Sequence, residues 1–104
     1  MHTVAESTDF SRLWPKYWTT DEFGDFCAWL ALNPQAGDVI PGTGGCRKVR
    51  WTVADRGKRG GVRVIYINRL ADGTVWLLTI YSKTVQKDVE RKVIKKIQES
   101  IDGK

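Results

Sequence analysis

Residues 62–82 read VRVIYINRLADGTVWLLTIYS. Two apolar runs, 62–68 and 74–82, flank Ala71-Asp72-Gly73, a turn signal of the kind that joins hairpin strands. In the first run Val62, Val64 and Tyr66 fall on one side of an extended chain, and Arg63, Ile65 and Ile67 on the other. Both sides are apolar except at Arg63, the pattern of a strand inside a sheet rather than at its edge. Residues 74–82 have the same two-sided character. An antiparallel pair at the centre of a sheet is the expectation.

Working upstream, Val49, Trp51 and Val53 alternate with Lys48, Arg50 and Thr52, which predicts a third strand with one apolar and one basic side. Before it, NPQAGDVIPGTGG (residues 33–45) carries Gly and Pro at the density of a loop. Earlier still, Phe10, Leu13, Trp14 and Tyr17 recur at helical spacing, with Pro15 ending or kinking the run. Thr19-Thr20-Asp21-Glu22 then supplies an N-cap and first-turn acids for a second helix bearing Phe23, Phe26, Cys27 and Leu30. Asn33-Pro34 stops it. His2–Glu6 is a short strand candidate. Downstream, Val89, Val93, Ile94, Ile97 and Ile101 trace an amphipathic C-terminal helix with a Lys-rich opposite face. The order predicts one α+β domain over 1–104: an N-terminal helical hairpin packed on a small antiparallel sheet, with a C-terminal helix.

A chain of 104 residues can bury roughly two thirds of its unfolded surface, so no staple is required. Cys27 and Cys46 form no CxxC pair, and His2 is the one histidine; the expectation is free thiols, a reducing compartment and no metal. No apolar run nears the ~20 residues of a membrane span, and no signal-peptide pattern opens the chain, which points to the cytoplasm.

Charge is concentrated. The net +5 resolves into −4 over residues 1–46, +6 over 47–63 and +3 from 64 onward. The middle segment holds Arg47, Lys48, Arg50, Arg56, Lys58, Arg59 and Arg63 against Asp55 alone. Such focusing is the footprint of a polyanion partner, and arginine's rigid fork of donors favours phosphate. A merely solvated basic surface is the competing reading.

Arg63 opens a strand on a side that is otherwise packed. A buried unpaired guanidinium is prohibitive, so it must meet a carboxylate or emerge into a cleft. A structural salt bridge would need Asp55, the one acid nearby in sequence. If residues 55–61 connect the strands as a hairpin, Lys48, Arg50 and Arg63 converge on one sheet surface. Tyr81 alternates with Leu77 and Thr79, and Lys83 continues that side; the tyrosine is either the edge of the core or a stacking and proton-carrying group. Gly57, Gly60 and Gly61 lie in no GxxxxGK[ST] pattern, so a P-loop is excluded and the glycines serve a turn carrying Arg56, Lys58 and Arg59.

VIPGTGGCRKVRW (39–51), GKRGGVRVIY (57–66) and LLTIYSK (77–83) together resemble the HigB-type branch of the RelE/ParE toxin superfamily. The resemblance implies a RelE-like α+β fold and the toxin of a type II toxin–antitoxin system that cleaves mRNA in the ribosomal A site. It implies a cognate helix-turn-helix (HigA-type) antitoxin; separately, no cofactor and no membrane are expected. By position it assigns catalysis to Lys48, Arg50, Arg63 and Lys83, with Tyr81 the nearest substitute for a tyrosine that some members use; the charge pattern adds Arg47, Arg56, Lys58 and Arg59 as RNA or ribosome contacts. Histidine, present in the catalytic region of several relatives, is missing here, as is the C-terminal tyrosine of some members. Lys87 and Asp88 lie where the likeness fades.

Metal-independent RNA cleavage needs removal of the 2′-OH proton, relief of charge on the phosphorane and a proton for the leaving 5′-oxygen. Positive neighbours make a lysine or tyrosine easier to deprotonate, so the base role falls to Lys48 or Tyr81. Arg63 and Arg50 would stabilise the phosphorane, and Lys83 is the acid or a phosphate clamp. Two alternatives stand beside this: a ParE-like gyrase inhibitor, and a non-catalytic RNA- or ribosome-binding module.

Overall fold

The structure, a computed structural model, describes residues 3–52, 61–69, 72–82, 89 and 91–101. Its elements are β1 (Thr3–Glu6), α1 (Thr8–Leu13), a 3-10 turn (Trp14–Lys16), α2 (Thr20–Leu32), β2 (Asp38–Val39), β3 (Cys46–Trp51), β4 (Val62–Arg69), β5 (Thr74–Ser82) and α3 (Arg91–Ile101). The sheet order is β1-β5-β4-β3-β2. β4 and β5, the pair apolar on both sides, are flanked by other strands as their composition demands.

The sheet is mixed rather than antiparallel. β1 runs parallel to β5, Thr3 opposite Thr74 through Glu6 opposite Leu77, while the other pairs are antiparallel. Two backbone bonds extend that junction, Thr3 N to Gly73 O at 2.8 Å and Ser7 N to Leu77 O at 2.9 Å. The parallel strand covers an edge that β5 would otherwise expose. A second departure is β2, two residues inside the segment expected to be loop, paired with Lys48 and Arg47.

Local chemistry sets the helix starts. Ser7 Oγ accepts from Phe10 N (3.0 Å) and donates to Leu78 O (2.7 Å), capping α1 and tying it to β5. Pro15 ends α1, and the chain tightens into the 3-10 turn. Thr19 and Glu22 form a capping box: Glu22 N donates to Thr19 Oγ1 at 3.2 Å and Thr19 N to Glu22 Oε1 at 2.8 Å. α2 ends at Asn33, ahead of Pro34.

The sheet has a core on each face. α1, α2 and the segment between them bury Phe10, Trp18, Phe26 and Leu30 against Val64, Tyr66, Leu77 and Ile80. Trp14 stacks on Phe23 at 4.3 Å, and Phe26 meets Trp51 edge-on at 5.2 Å. On the other face Ile94 and Ile97 of α3 cluster with Cys46, Ile65, Ile67, Leu78 and Tyr81. Val93, expected on the packed stripe of α3, is instead 41% exposed.

A bulge at Ile65/Tyr66 corrects the predicted alternation of β5. Ile65 faces Thr79 and Tyr66 faces Leu77, so Leu78 is the extra residue. Leu77 therefore belongs to the α1/α2 core, not to the side of Tyr81. Where the β3–β4 connection returns to the sheet, Gly61 has φ +72°, and an added Cβ would collide with the carbonyl of Trp51. Only glycine fits there without strain.

Candidate functional site

The antiparallel registers build a cationic row. Arg50 on β3 lies opposite Arg63 on β4, and Arg63 lies opposite Tyr81 on β5. Residues directly opposite share a face, so the three line one row, two positions along from Ile65 on the α3 side. Lys48, opposite Ile65, joins the same face. Arg50 is exposed, Lys48 and Arg63 are half-buried and Tyr81 is 3% exposed. The convergence expected of Lys48, Arg50 and Arg63 on one face is what the strand registers give.

Arg63 is the unusual member. Its Nη1 is buried and has no hydrogen-bond partner among the described residues. Such a donor carries a desolvation cost of about 1–3 kcal/mol or more. An anion arriving at that face would relieve it. Asp55, the acid considered as a structural partner, lies outside the described residues.

Tyr81 contributes differently from a stacking platform. Its ring is packed among Ile94, Ile97 and Leu78, which leaves its flat faces in the core. Arg47 points to the opposite face, beside Tyr66 in the register. Its guanidinium donates from Nη1 to Gly37 O at 2.7 Å and to Gln35 O at 3.3 Å, holding the segment that follows α2. The same segment is held by Gly37 N donating to Tyr66 Oη (2.8 Å) and Asn68 Nδ2 to Pro34 O (2.7 Å). Arg56, Lys58, Arg59 and Lys83 lie outside the described residues, as do Lys87 and Asp88.

Beside Lys48 runs a groove of about 750 Å³, walled by residues 38–41, Lys48, Val89 and Arg91. Asp38 is the register partner of Lys48 across β2 and β3. Arg91 opens α3 against the β2–β3 turn, where a Cβ on Gly42 would sit 3.5 Å from its Cδ. Gln98 Nε2 donates to Thr43 O at 3.0 Å, fastening α3 to that turn. Asp38 and Arg91 were not singled out from the sequence. The signal for Arg91 was only its place on the basic face of the last helix.

Burial raises the thiol pKa of Cys27 to about 11, with the charge of Glu6 adding to the effect. Burial also raises Cys46, against the opposing influence of Thr43 and Arg69. Neither thiol is poised as a nucleophile. Among the described residues no three or more His, Cys, Asp or Glu side chains group as a metal site, and no helix is long and apolar enough to cross a membrane.

This arrangement of strands and helices is the RelE-like α+β fold. An arginine-to-alanine double mutant of E. coli toxin RelE, in the free state, aligns with a TM-score of 0.63 at 13% identity, over 96% of this chain and 97% of that one. The isolated E. coli RelE toxin aligns at 0.60 and 13% identity, over 97% and 99%. A chain of the intact E. coli RelBE toxin–antitoxin complex aligns at 0.60 and 14% identity, over 79% of this chain and 96% of that one. No protein-family model matches the sequence.

Proposed function

We propose that this protein is the toxin of a type II toxin–antitoxin system, a metal-independent endoribonuclease of the HigB type that cuts mRNA on the ribosome. The observation that carries this reading is Arg63, whose buried Nη1 lacks a partner among the described residues while Arg50 and Lys48 share its face. The RelE-like fold supports it, since solved structures of E. coli RelE and RelBE share that fold. A helix-turn-helix antitoxin of the HigA type is the neutralising partner in this reading, and the cytoplasm is where the toxin meets ribosomes.

In the reaction the 2′-oxygen attacks phosphorus as it loses its proton, and the bond from phosphorus to the 5′-oxygen breaks. The products are a 2′,3′-cyclic phosphate and a 5′-hydroxyl. Lys48 or Tyr81 takes the 2′-OH proton; Tyr81, with its ring in the core, can act only through its hydroxyl. Arg63 and Arg50 carry the charge that builds on the phosphorane, an effect worth about 10²–10³ in rate for a single well-aimed donor. Lys83 returns the proton to the leaving oxygen. A site with no histidine gains most from a substrate already held in line, which the ribosome provides.

A translating extract tests the proposal. Added protein should produce mRNA cut within codons. Intact mRNA with arrested DNA supercoiling would make it a gyrase inhibitor, and binding to ribosomes with neither effect would make it a non-catalytic module.

A further inference from the structure

The outward side of α2 does not read like a surface helix. Residues 26–32, FCAWLAL, run for about two turns without a polar or charged side chain, and a helix apolar all round belongs under cover. The sheet covers one side of those turns, through Phe26 and Leu30. The other side is open: Leu32 is 68% exposed, Ala28 is exposed and Trp29 is half-buried. Trp29 lies against Trp51 of β3, itself half-buried, with ring centroids 4.9 Å apart. Tryptophan is enriched at the energetic centres of protein interfaces.

The charge beside this patch is of one sign. Asp21 and Asp25 are exposed and stand on the same side of α2 as Ala28 and Leu32, at i, i+4, i+7 and i+11. From Tyr17 to Cys46 the sequence holds acids and no Lys or Arg. Such a rim repels an RNA backbone or an anionic lipid surface and attracts lysine and arginine. We propose that this side of α2, with Trp51, is a docking surface for an amphipathic helix of a partner protein, apolar along one stripe and edged with Lys or Arg. The ridge is low, because Gly24 is exposed and a Cβ there would meet nothing within 4 Å. A second helix can therefore settle at the about 8–10 Å separation of packed pairs. Trp29 and Leu32 take its apolar stripe, and Asp21 and Asp25 take its cations. The surface belongs to the α1/α2 side of the sheet, whereas Lys48, Arg50 and Arg63 occupy the α3 side. The helix and an RNA strand can thus be held at once. The assignment does not depend on the ribonuclease reading.

The test is a chemical-shift titration of the full chain with two designed helical peptides, one with a leucine stripe flanked by lysines, the other with the same stripe flanked by glutamates. The lysine peptide should bind about tenfold more tightly and shift the amides of residues 24–33 and the indole N–H signals of Trp29 and Trp51. Leu32→Gln should weaken it by about tenfold at an unchanged melting temperature, since that side chain is already in water. Asp25→Lys should narrow the preference for lysine over glutamate. Vesicles of phosphatidylcholine and phosphatidylglycerol should leave the signals of residues 26–32 in place. Equal affinities for the two peptides, binding of neither, affinity undiminished in Leu32→Gln, or a preference untouched by Asp25→Lys would overturn the assignment. So would shifts confined to Lys48 and Arg50, or vesicles that broaden residues 26–32.

Discussion

Arg50 and Arg63 sit directly opposite one another on the antiparallel ladder of β3 and β4. Like charges at such a position destabilise a sheet by a few tenths to about 1 kcal/mol, so the pairing carries a structural cost that a phosphate between them would remove. Arg47, one residue from Lys48, projects to the other face and is spent on loop carbonyls. The two faces make a contrast that binding can read. Arg50→Gln should lower the slope of log affinity against log salt by about 0.7 for single-stranded RNA. Arg47→Gln should leave that slope alone while lowering the melting temperature. Equal slope changes in the two variants would refute the division.

The segment after α2 depends on one hydroxyl. Gly37 N donates to Tyr66 Oη at 2.8 Å, and Tyr66 is fully buried. Tyr66→Phe keeps the ring in its core but strips the acceptor from a buried N–H, which costs about 1–3 kcal/mol. Urea unfolding measures it directly. Unfolding midpoints that coincide for the two proteins would contradict this account of the loop.

Alkaline pH should weaken the fold. Burial raises the Cys27 thiol from 9.0 to about 11, and raises Cys46 and Tyr66 as well. The folded chain thus holds these protons more tightly than the unfolded one. The stability they contribute is whole below about pH 9 and is lost as pH climbs through about 11. Melting temperature should be level toward pH 8.5 and fall between 9 and 11. Cys27→Ala should make that fall shallower, and a profile of unchanged steepness would count against the assignment.

The central strands were legible because their apolar residues occupy both sides, and the start of α2 because an N-cap at Thr19–Thr20 stands ahead of the acids Asp21 and Glu22. The basic row was legible too, since alternation alone sends Lys48 and Arg50 one way and Arg47 the other. What stayed hidden needed a distant partner. The parallel seat of β1 on β5 joins segments about 71 residues apart, and β2, at two residues, is too short to show a period. The bulge beside Leu78 is invisible in β5 itself, because only the register with β4 reveals the extra residue. The groove was hidden for the same reason: Asp38 and Arg91 come to line it through the sheet and the docking of α3, not through sequence proximity.

The measurement that bears most directly on the cationic row is 5′-end mapping of mRNA in a translating extract, with wild-type protein and Arg63→Ala, alongside their thermal melts. The wild type should generate 5′-hydroxyl ends within codons. Arg63→Ala should lose them by about 10²–10³-fold while melting no lower than the wild type, because the side chain removed was a buried donor without a partner among the described residues. Cuts that persist undiminished in Arg63→Ala, or a wild type that leaves every message whole, would contradict the account.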